Sequence, residues 1–208
     1  MADQELTGCA ALLAATDHHP YARHALWRGA EPRGWRRDGA VAWLSSGPGP
    51  AGGAIGAPGP AVDVFTDLVA AGAVGAGQWL HLPRTSPEAL AGRLTVARHD
   101  ESSFPSTTSR PGDPRIVDWY GIRDGDRLVA CGADRSRGDV GFLAGLTVAP
   151  DRRGRGLGAA LTAGMTRALA ARYDHVALGV YTDNVGAIRL YRRLGFTGAL
   201  ARSSVHLA

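Results

Sequence analysis

The sequence predicts an α/β fold in which helices pack on mixed sheets, and three observations carry that expectation. The second half reads as strands and helices in the order β-β-β-α-β-α-β, and the first half more loosely as β-β-α-β. Leu157, Leu161, Met165 and Leu169 recur every fourth residue, with Ala160, Gly164 and Ala168 beside them, which is a helix able to approach a sheet closely. The stretch "DRRGRGLGAALTAGM" joins that helix to the nearly continuous apolar strand "VGFLAGLTV", and glycine-rich turns of this kind belong to α/β units.

Taken in order, "ELTGCAALLAAT" predicts a helix and "AVAWLSS" a strand. The turn-rich "GPGPAGGAIGAPGP" leaves room for a short strand at 53–57. "AVDVFTDLVAAGAV" places Val64, Leu68 and Ala71 on one helical face, and "GQWLHLPR" is a strand ending at Pro83. The Ser/Thr/Pro/Gly run from Ser102 to Pro114 predicts an irregular boundary or active-site loop. Beyond it "IVDWYGIR" and "RLVACGAD" flank Asp124-Gly125, a hairpin signal. "HVALGVYT" is a buried strand, "NVGAIRLYRRLG" a helix stopped by Gly195, and "FTGALARSSVHL" a last strand of the same half. The expected domains are therefore 1–112 and 113–208.

The 208 residues are 45% hydrophobic and 20% charged, enough apolar material for a real core. Every one of the 23 basic residues is arginine, so no lysine is present to act as a Schiff-base nucleophile or P-loop ligand. The net charge of +4 fits an anionic small molecule. No basic stripe with interleaved aromatics points to nucleic acid. Cys9 and Cys131 have neither disulfide-framework nor zinc-ligand spacing, so no metal is expected. No run of about 18 apolar residues predicts a membrane span, and the acidic N-terminus is unlike a signal peptide. The expectation is a cytoplasmic protein, with monomer and homodimer both open.

The glycine turn invites a chemical reading. Glycine costs a helix roughly 1 kcal/mol relative to alanine, so its clustering at a helix start needs a reason. The first N–H groups of a helix lack intrahelical acceptors and carry the positive end of its dipole. Glycines there let a ligand's phosphates reach the backbone, and Arg153 and Arg155 add charge or lock the loop. Tight helix–sheet packing alone is the plainer explanation. A P-loop is excluded by the missing GK[ST]. Gly154-x-Gly156-x-x-Ala159, with Asp183 closing the next strand, also matches a dinucleotide fingerprint. That fingerprint, however, needs its first glycine directly after the strand and more chain beyond it.

At this point the residues carry a family resemblance. "LTVAPDRRGRGLGAAL" resembles the acyl-CoA motif V-x-P-x-x-[RQ]-G-x-G-x-[GA] of the GCN5-related N-acetyltransferases (GNAT). "YTDNVGAIRLYRRLGF" resembles the family's following motif, N-x-x-A-x-x-x-Y-x-x-x-GF. The resemblance spans about Ile116 to Leu207 and is nearest to the FR47-like and glycine N-acyltransferase-like branch. It implies a GNAT-type fold with a degenerate α/β half before it, acetyl-CoA or another acyl-CoA as co-substrate, and a small-molecule or peptide amine as acceptor.

Residue by residue, it implies that Leu146, Thr147 and Val148 offer backbone groups to the pantetheine arm. The N–H groups of Arg153, Gly154, Arg155, Gly156, Leu157 and Gly158 would hold the pyrophosphate. Asn184 would contact the cofactor, although an N-cap has the same appearance. Tyr191 would be the acid that protonates the leaving thiolate once a neutral amine has attacked the thioester. Many family members carry a glutamate on the strand before the cradle. "VGFLAGLTV" has no carboxylate, so Asp134, Asp139, Glu101, His81 and His99 become candidate bases beside a water relay. The alternative function is a non-catalytic acyl-CoA sensor. Trp27, Trp35, Trp43 and Trp79 all precede Ser102, which suggests that the first half walls the acceptor pocket.

Overall fold

The computed structural model describes residues 3–26, 31–45, 51–103 and 117–208. In chain order its elements are β1 (Gln4–Thr7), α1 (Gly8–Ala15), α2 (Pro20–Ala25), β2 (Arg33–Arg37), β3 (Ala40–Leu44), β4 (Gly52–Gly56), α3 (Pro58–Ala70), β5 (Trp79–Pro83), α4 (Pro87–Leu90) and β6 (Val96–Ser103). There follow β7 (Asp118–Asp124), β8 (Arg127–Asp134), β9 (Gly141–Val148), α5 (Leu157–Ala170), β10 (Val176–Leu178), β11 (Val180–Tyr181), α6 (Val185–Arg193) and β12 (Ala201–Leu207). Two compact units result: residues 1–105 with 199–208, and residues 106–198. Most of the predicted loop at 102–114 lies outside the described residues, but Ser102 and Ser103 belong to β6.

In the first unit the strands run β1-β2-β3-β4-β5-β12-β6. Asp38 and Gly39, at φ 40° and 82°, close the β2–β3 hairpin in the primed-turn geometry that suits strand twist. The β4–β5 pair is parallel and α3 makes the crossover. Alternation then splits the sheet into two faces. Ala42, Ala54, Leu80, Leu82, Val205 and Leu207 meet Val62, Phe65 and Leu68 of α3 in one core. Val41 and Trp43 meet Leu12 of α1 and Tyr21 of α2 in another. Residues 5–7, predicted as helix, belong instead to β1, and the helix begins at Gly8.

The largest difference from the sequence reading is β12. Expected as a strand of the second half, it lies antiparallel between β5 and β6 of the first unit. Val205 and Leu207, 0% and 3% exposed, fill that unit's core, and both edges of the strand are paired. The compact-unit boundary accordingly runs between Gly198 and Ala199 as well as near 105.

The second unit has a four-stranded sheet, β10-β9-β8-β7. Gly125, at φ 60°, sits in the β7–β8 turn where the Asp-Gly signal places it. The periodic apolar face of α5 contributes Leu161, Met165 and Leu169 to a core with Ala130, Leu143 and Leu178. No helix among the described residues is long and apolar enough to cross a membrane.

Candidate functional site

Strand β9 sets the site's geometry through one irregularity. Cys131 faces Thr147 and Ala133 faces Ala144, so two residues of β9 oppose Gly132 alone. Gly145 absorbs this bulge with φ 61°. On the other side, the parallel ladder with β10 ends at Leu143–Leu178. Leu146, Thr147 and Val148 thus lie beyond the last β10 pair, on a strand that keeps its β8 neighbour along one edge.

Pro150 cannot donate to a ladder, and the chain leaves β9 there in a single 3-10 turn, Pro150–Arg152. The charged residues of this turn are tied back to the sheet. Arg127 grips Asp151 with two bonds of 2.7 Å, holding its carboxyl below the usual range, and Arg152 reaches Asp124 at 3.0 Å. Nε of Arg153 donates to the carbonyl of Val148 at 3.3 Å. Exposed pairs like these contribute little stability, but together they orient the loop. Arg155 is exposed.

The glycines then do what no other residue does cheaply. Gly154 and Gly156 are left-handed at φ 75° and 78°, a conformation that costs an L side chain roughly 1–2 kcal/mol. Gly156 is the N-cap of α5, and no side chain caps the helix. The first helical bond is Ala160 N–H to Gly156 O, 3.0 Å. The N–H groups of Leu157, Gly158 and Ala159 have no backbone acceptor among the described residues. A Cβ built on Gly158 would lie 3.6 Å from Val148 and 3.7 Å from Leu190, so β9, α5 and α6 converge here.

Helix α6 is closed at both ends by its own sequence. The Asn184 Oδ1 accepts from the Ala187 N–H at 3.1 Å, an N-cap that engages the oxygen and leaves the amide nitrogen. At the far end Gly195, φ 91°, allows Gly195 N–H to reach Arg192 O and Phe196 N–H to reach Tyr191 O, at 3.1 and 3.0 Å. This double bond pattern brings the residue after the glycine onto the third residue from the helix end. Phe196 accordingly packs edge-on to Tyr191, ring centroids 6.0 Å apart. Tyr191 is half-buried on the apolar cluster that Leu146, Val148 and Leu157 also join, and burial raises its phenol above the ordinary value. The packing of Phe196 on Tyr191 was not anticipated from the sequence, although the Gly-Phe pair after the helix was its signal. Phe196→Ala should remove the ring's support and lower any activity that depends on Tyr191 by a factor of a few, while Phe196→Leu retains most of it.

The candidate bases fare differently. Asp134 is 6% exposed and committed, pairing with Arg172 at 2.6 Å and accepting the Ser136 N–H at 2.9 Å. Its role is structural. His81, His99 and Glu101 belong to the first unit, bound respectively to the Tyr21 hydroxyl at 3.2 Å, the Thr85 carbonyl at 2.8 Å and Arg84 at 2.7 Å. Asp139 precedes β9 and has partners of its own. Among the tryptophans, Trp43 is wholly buried core, Trp35 packs against the α3-side core, Trp79 lies tilted against His206 with ring centroids 4.8 Å apart, and Trp27 lies outside the described residues. The described residues contain no group of three or more His, Cys, Asp or Glu able to hold a metal.

The fold is shared with solved GNAT structures. A GNAT-family acetyltransferase from Novosphingobium aromaticivorans superposes with a TM-score of 0.51 at 24% identity, covering 82% of this chain and 88% of that one. A Drosophila protein gives 0.55 at 15% identity, covering 96% and 86%. Residues 119–205 match the family model described as FR47-like protein. Among curated proteins, the mycothiol acetyltransferase of Frankia casuarinae is 34% identical over 116 residues, 51% of this chain and 32% of that protein. That of Kineococcus radiotolerans is 50% identical over 60 residues, 29% and 20%. The chain thus spans less than a third of the length of these relatives.

Proposed function

We propose that this protein is an acyl-CoA-dependent N-acyltransferase that moves an acetyl group from acetyl-CoA to an amine. The observation that carries the reading is the uncapped start of α5 beside the open stretch of β9. It fits the ligand: left-handed Gly154 and Gly156 keep side chains away from the N–H groups of residues 157–159, as a pyrophosphate requires. Relatives described as mycothiol acetyltransferases support the same chemistry.

In this reading the backbone from Arg153 to Gly158 holds the pyrophosphate, and Leu146, Thr147 and Val148 bind the amides of the pantetheine arm. An N–H near Val148 polarises the thioester carbonyl. The side-chain nitrogen of Asn184 remains for the cofactor because only its oxygen is used in the cap. Tyr191 donates its proton to the departing thiolate. Its raised pKa keeps the hydroxyl protonated across the neutral range, and this contribution is lost only as pH climbs through that raised value. The acceptor is a small-molecule or peptide amine, the setting is cytoplasmic, and the protein acts as a monomer or homodimer. No metal takes part.

Thiol release from acetyl-CoA in the presence of pooled amines tests the activity. It also separates an enzyme from an acyl-CoA sensor, the reading favoured by a β9 without any carboxylate. Tyr191→Phe removes the hydroxyl and leaves the ring on Phe196. It should lower kcat at least about tenfold, with acetyl-CoA affinity and thermal midpoint little changed, since general acids contribute roughly 10²- to 10⁴-fold. Parental turnover in that variant means that Tyr191 only packs.

A further inference from the structure

Arg202, on the sheet face of the first unit that Trp43 and Tyr21 also cover, is 1% exposed, and no ion pair involves it among the described residues. Its Nη1 donates to the Ala54 carbonyl at 3.2 Å, and its guanidinium carbon lies 3.4 Å from the centre of the Tyr21 ring. These two contacts fix the plane of the group. Its Nε and Nη2 are buried with no hydrogen-bond partner. That pair forms the side-on edge of an arginine, which elsewhere in this chain grips carboxylates. Arg33 holds Glu5 by it at 3.1 and 2.7 Å, and Arg37 holds Asp3 at 2.6 Å on both nitrogens.

The neighbours of Arg202 repeat the pattern. Ser102 faces it across the β12–β6 ladder, and Ser204 follows two positions along the same face. The hydroxyl oxygens of both are buried without partners. On this face of β6 the nearest acidic residue, Asp100 opposite Ser204, pairs with Arg98 at 2.8 Å. Tyr21 can lie over the guanidinium only because position 53 is glycine; a Cβ there would stand 2.8 Å from the tyrosine oxygen.

We infer that Arg202, with Ser102 and Ser204, forms a binding site for the carboxylate of a small organic ligand, held side-on by Nε and Nη2. A buried cation with an unmet donor edge is costly to a fold and is relieved by an anion. Burial lowers the arginine's pKa to about 10, so it remains charged at neutral pH. One positive charge matches a monoanion, and the planar fork matches a carboxylate, with two hydroxyls for its remaining lone pairs. A phosphate dianion would need a second cation; His19 is held toward neutrality by burial and by Arg202, and His81, opposite Ser204, is bonded to the Tyr21 hydroxyl. The edge is shielded from solvent, so entry requires local opening. The inference does not depend on acetyl transfer, because binding is read without acyl-CoA.

The test is calorimetry on the full chain with acetate, glycine, β-alanine and benzoate, each beside its neutral amide, and with inorganic phosphate. At least one carboxylate should bind saturably, with its amide at least tenfold weaker. Arg202→Met should weaken that binding tenfold or more, while the thermal midpoint without ligand stays or rises because an uncompensated charge has gone. Ser102→Ala, which leaves the arginine in place, should weaken it by a smaller factor and keeps the test informative if the methionine variant unfolds. Equal binding of acid and amide, no binding by any of the four acids, binding by phosphate alone, or undiminished binding in Arg202→Met or in Ser102→Ala overturns the assignment.

Discussion

Gly156→Asp should leave the protein folded and reduce acetyl-CoA binding at least a hundredfold. The backbone at this N-cap is left-handed, φ 78°, which asparagine and aspartate tolerate better than other side chains. Nothing lies within 4 Å of a Cβ built there, so the change meets no steric obstacle. Aspartate is also a strong capping residue, whose carboxylate takes up the very N–H groups that α5 leaves without a side-chain cap. Capping gains of about 1 kcal/mol therefore offset the backbone strain, and the thermal midpoint should move little. Binding is lost for the same reason: the donors are occupied and a negative charge stands where a pyrophosphate must sit. Gly156→Ala isolates the strain and should bind within about tenfold of the parent. Gly158→Asp should also abolish binding, and NAD should not bind the parent chain. Calorimetry giving Gly156→Asp a parental affinity would place the cradle elsewhere.

Deleting residues 199–208 should unfold the first unit. β12 is an interior strand, antiparallel to β5 on one side and β6 on the other. It supplies Val205 and Leu207 to the α3-side core, and fully burying such a side chain contributes roughly 1.5–3 kcal/mol. Its Ser203 hydroxyl accepts from the Thr85 N–H and donates to the Thr85 carbonyl, both at 3.0 Å. The sum is comparable to the roughly 5–15 kcal/mol that holds a typical domain together. Removal also leaves two unpaired strand edges beside apolar side chains, a template for aggregation. A chain of residues 112–208 alone meets the complementary problem, since its last strand has lost both neighbours. Leu207→Ala is the graded version and should cost roughly 2–5 kcal/mol. A deleted chain that stays soluble with a parental unfolding midpoint contradicts this account.

The parts of the site that lie within a few residues of one another were legible beforehand. Pro150 ends β9, glycines shape the turn before α5, Asn184 caps α6, and Gly195 ends it. Each is decided by local sterics or by one backbone donor, so the residue type at one position suffices. The bulge at Gly145 and the use of Asp134 against Arg172 were not legible, because each depends on which groups arrive from other elements. Strands β2 and β6 escaped for a related reason. "RGWRR" and "VARHDESS" have little apolar alternation, and their place comes from the ladders β2 makes with β1 and β3 and β6 makes with β12.

By itself the sequence determined the α/β class, the strand-to-helix turn with its exposed donors, and the helix that carries Asn184 and Tyr191. Those features follow from turn conformation, helix capping and side-chain period, all short-range. Only the tertiary structure decided that β12 completes the first sheet and that Arg202 is enclosed with one edge unmet. An alternating strand fits any compatible edge, and a guanidinium sits as readily in water as in a core. Which outcome occurs rests on contacts among β5, β6, α2 and Gly53, far apart in the chain, whose combined burial no local pattern records.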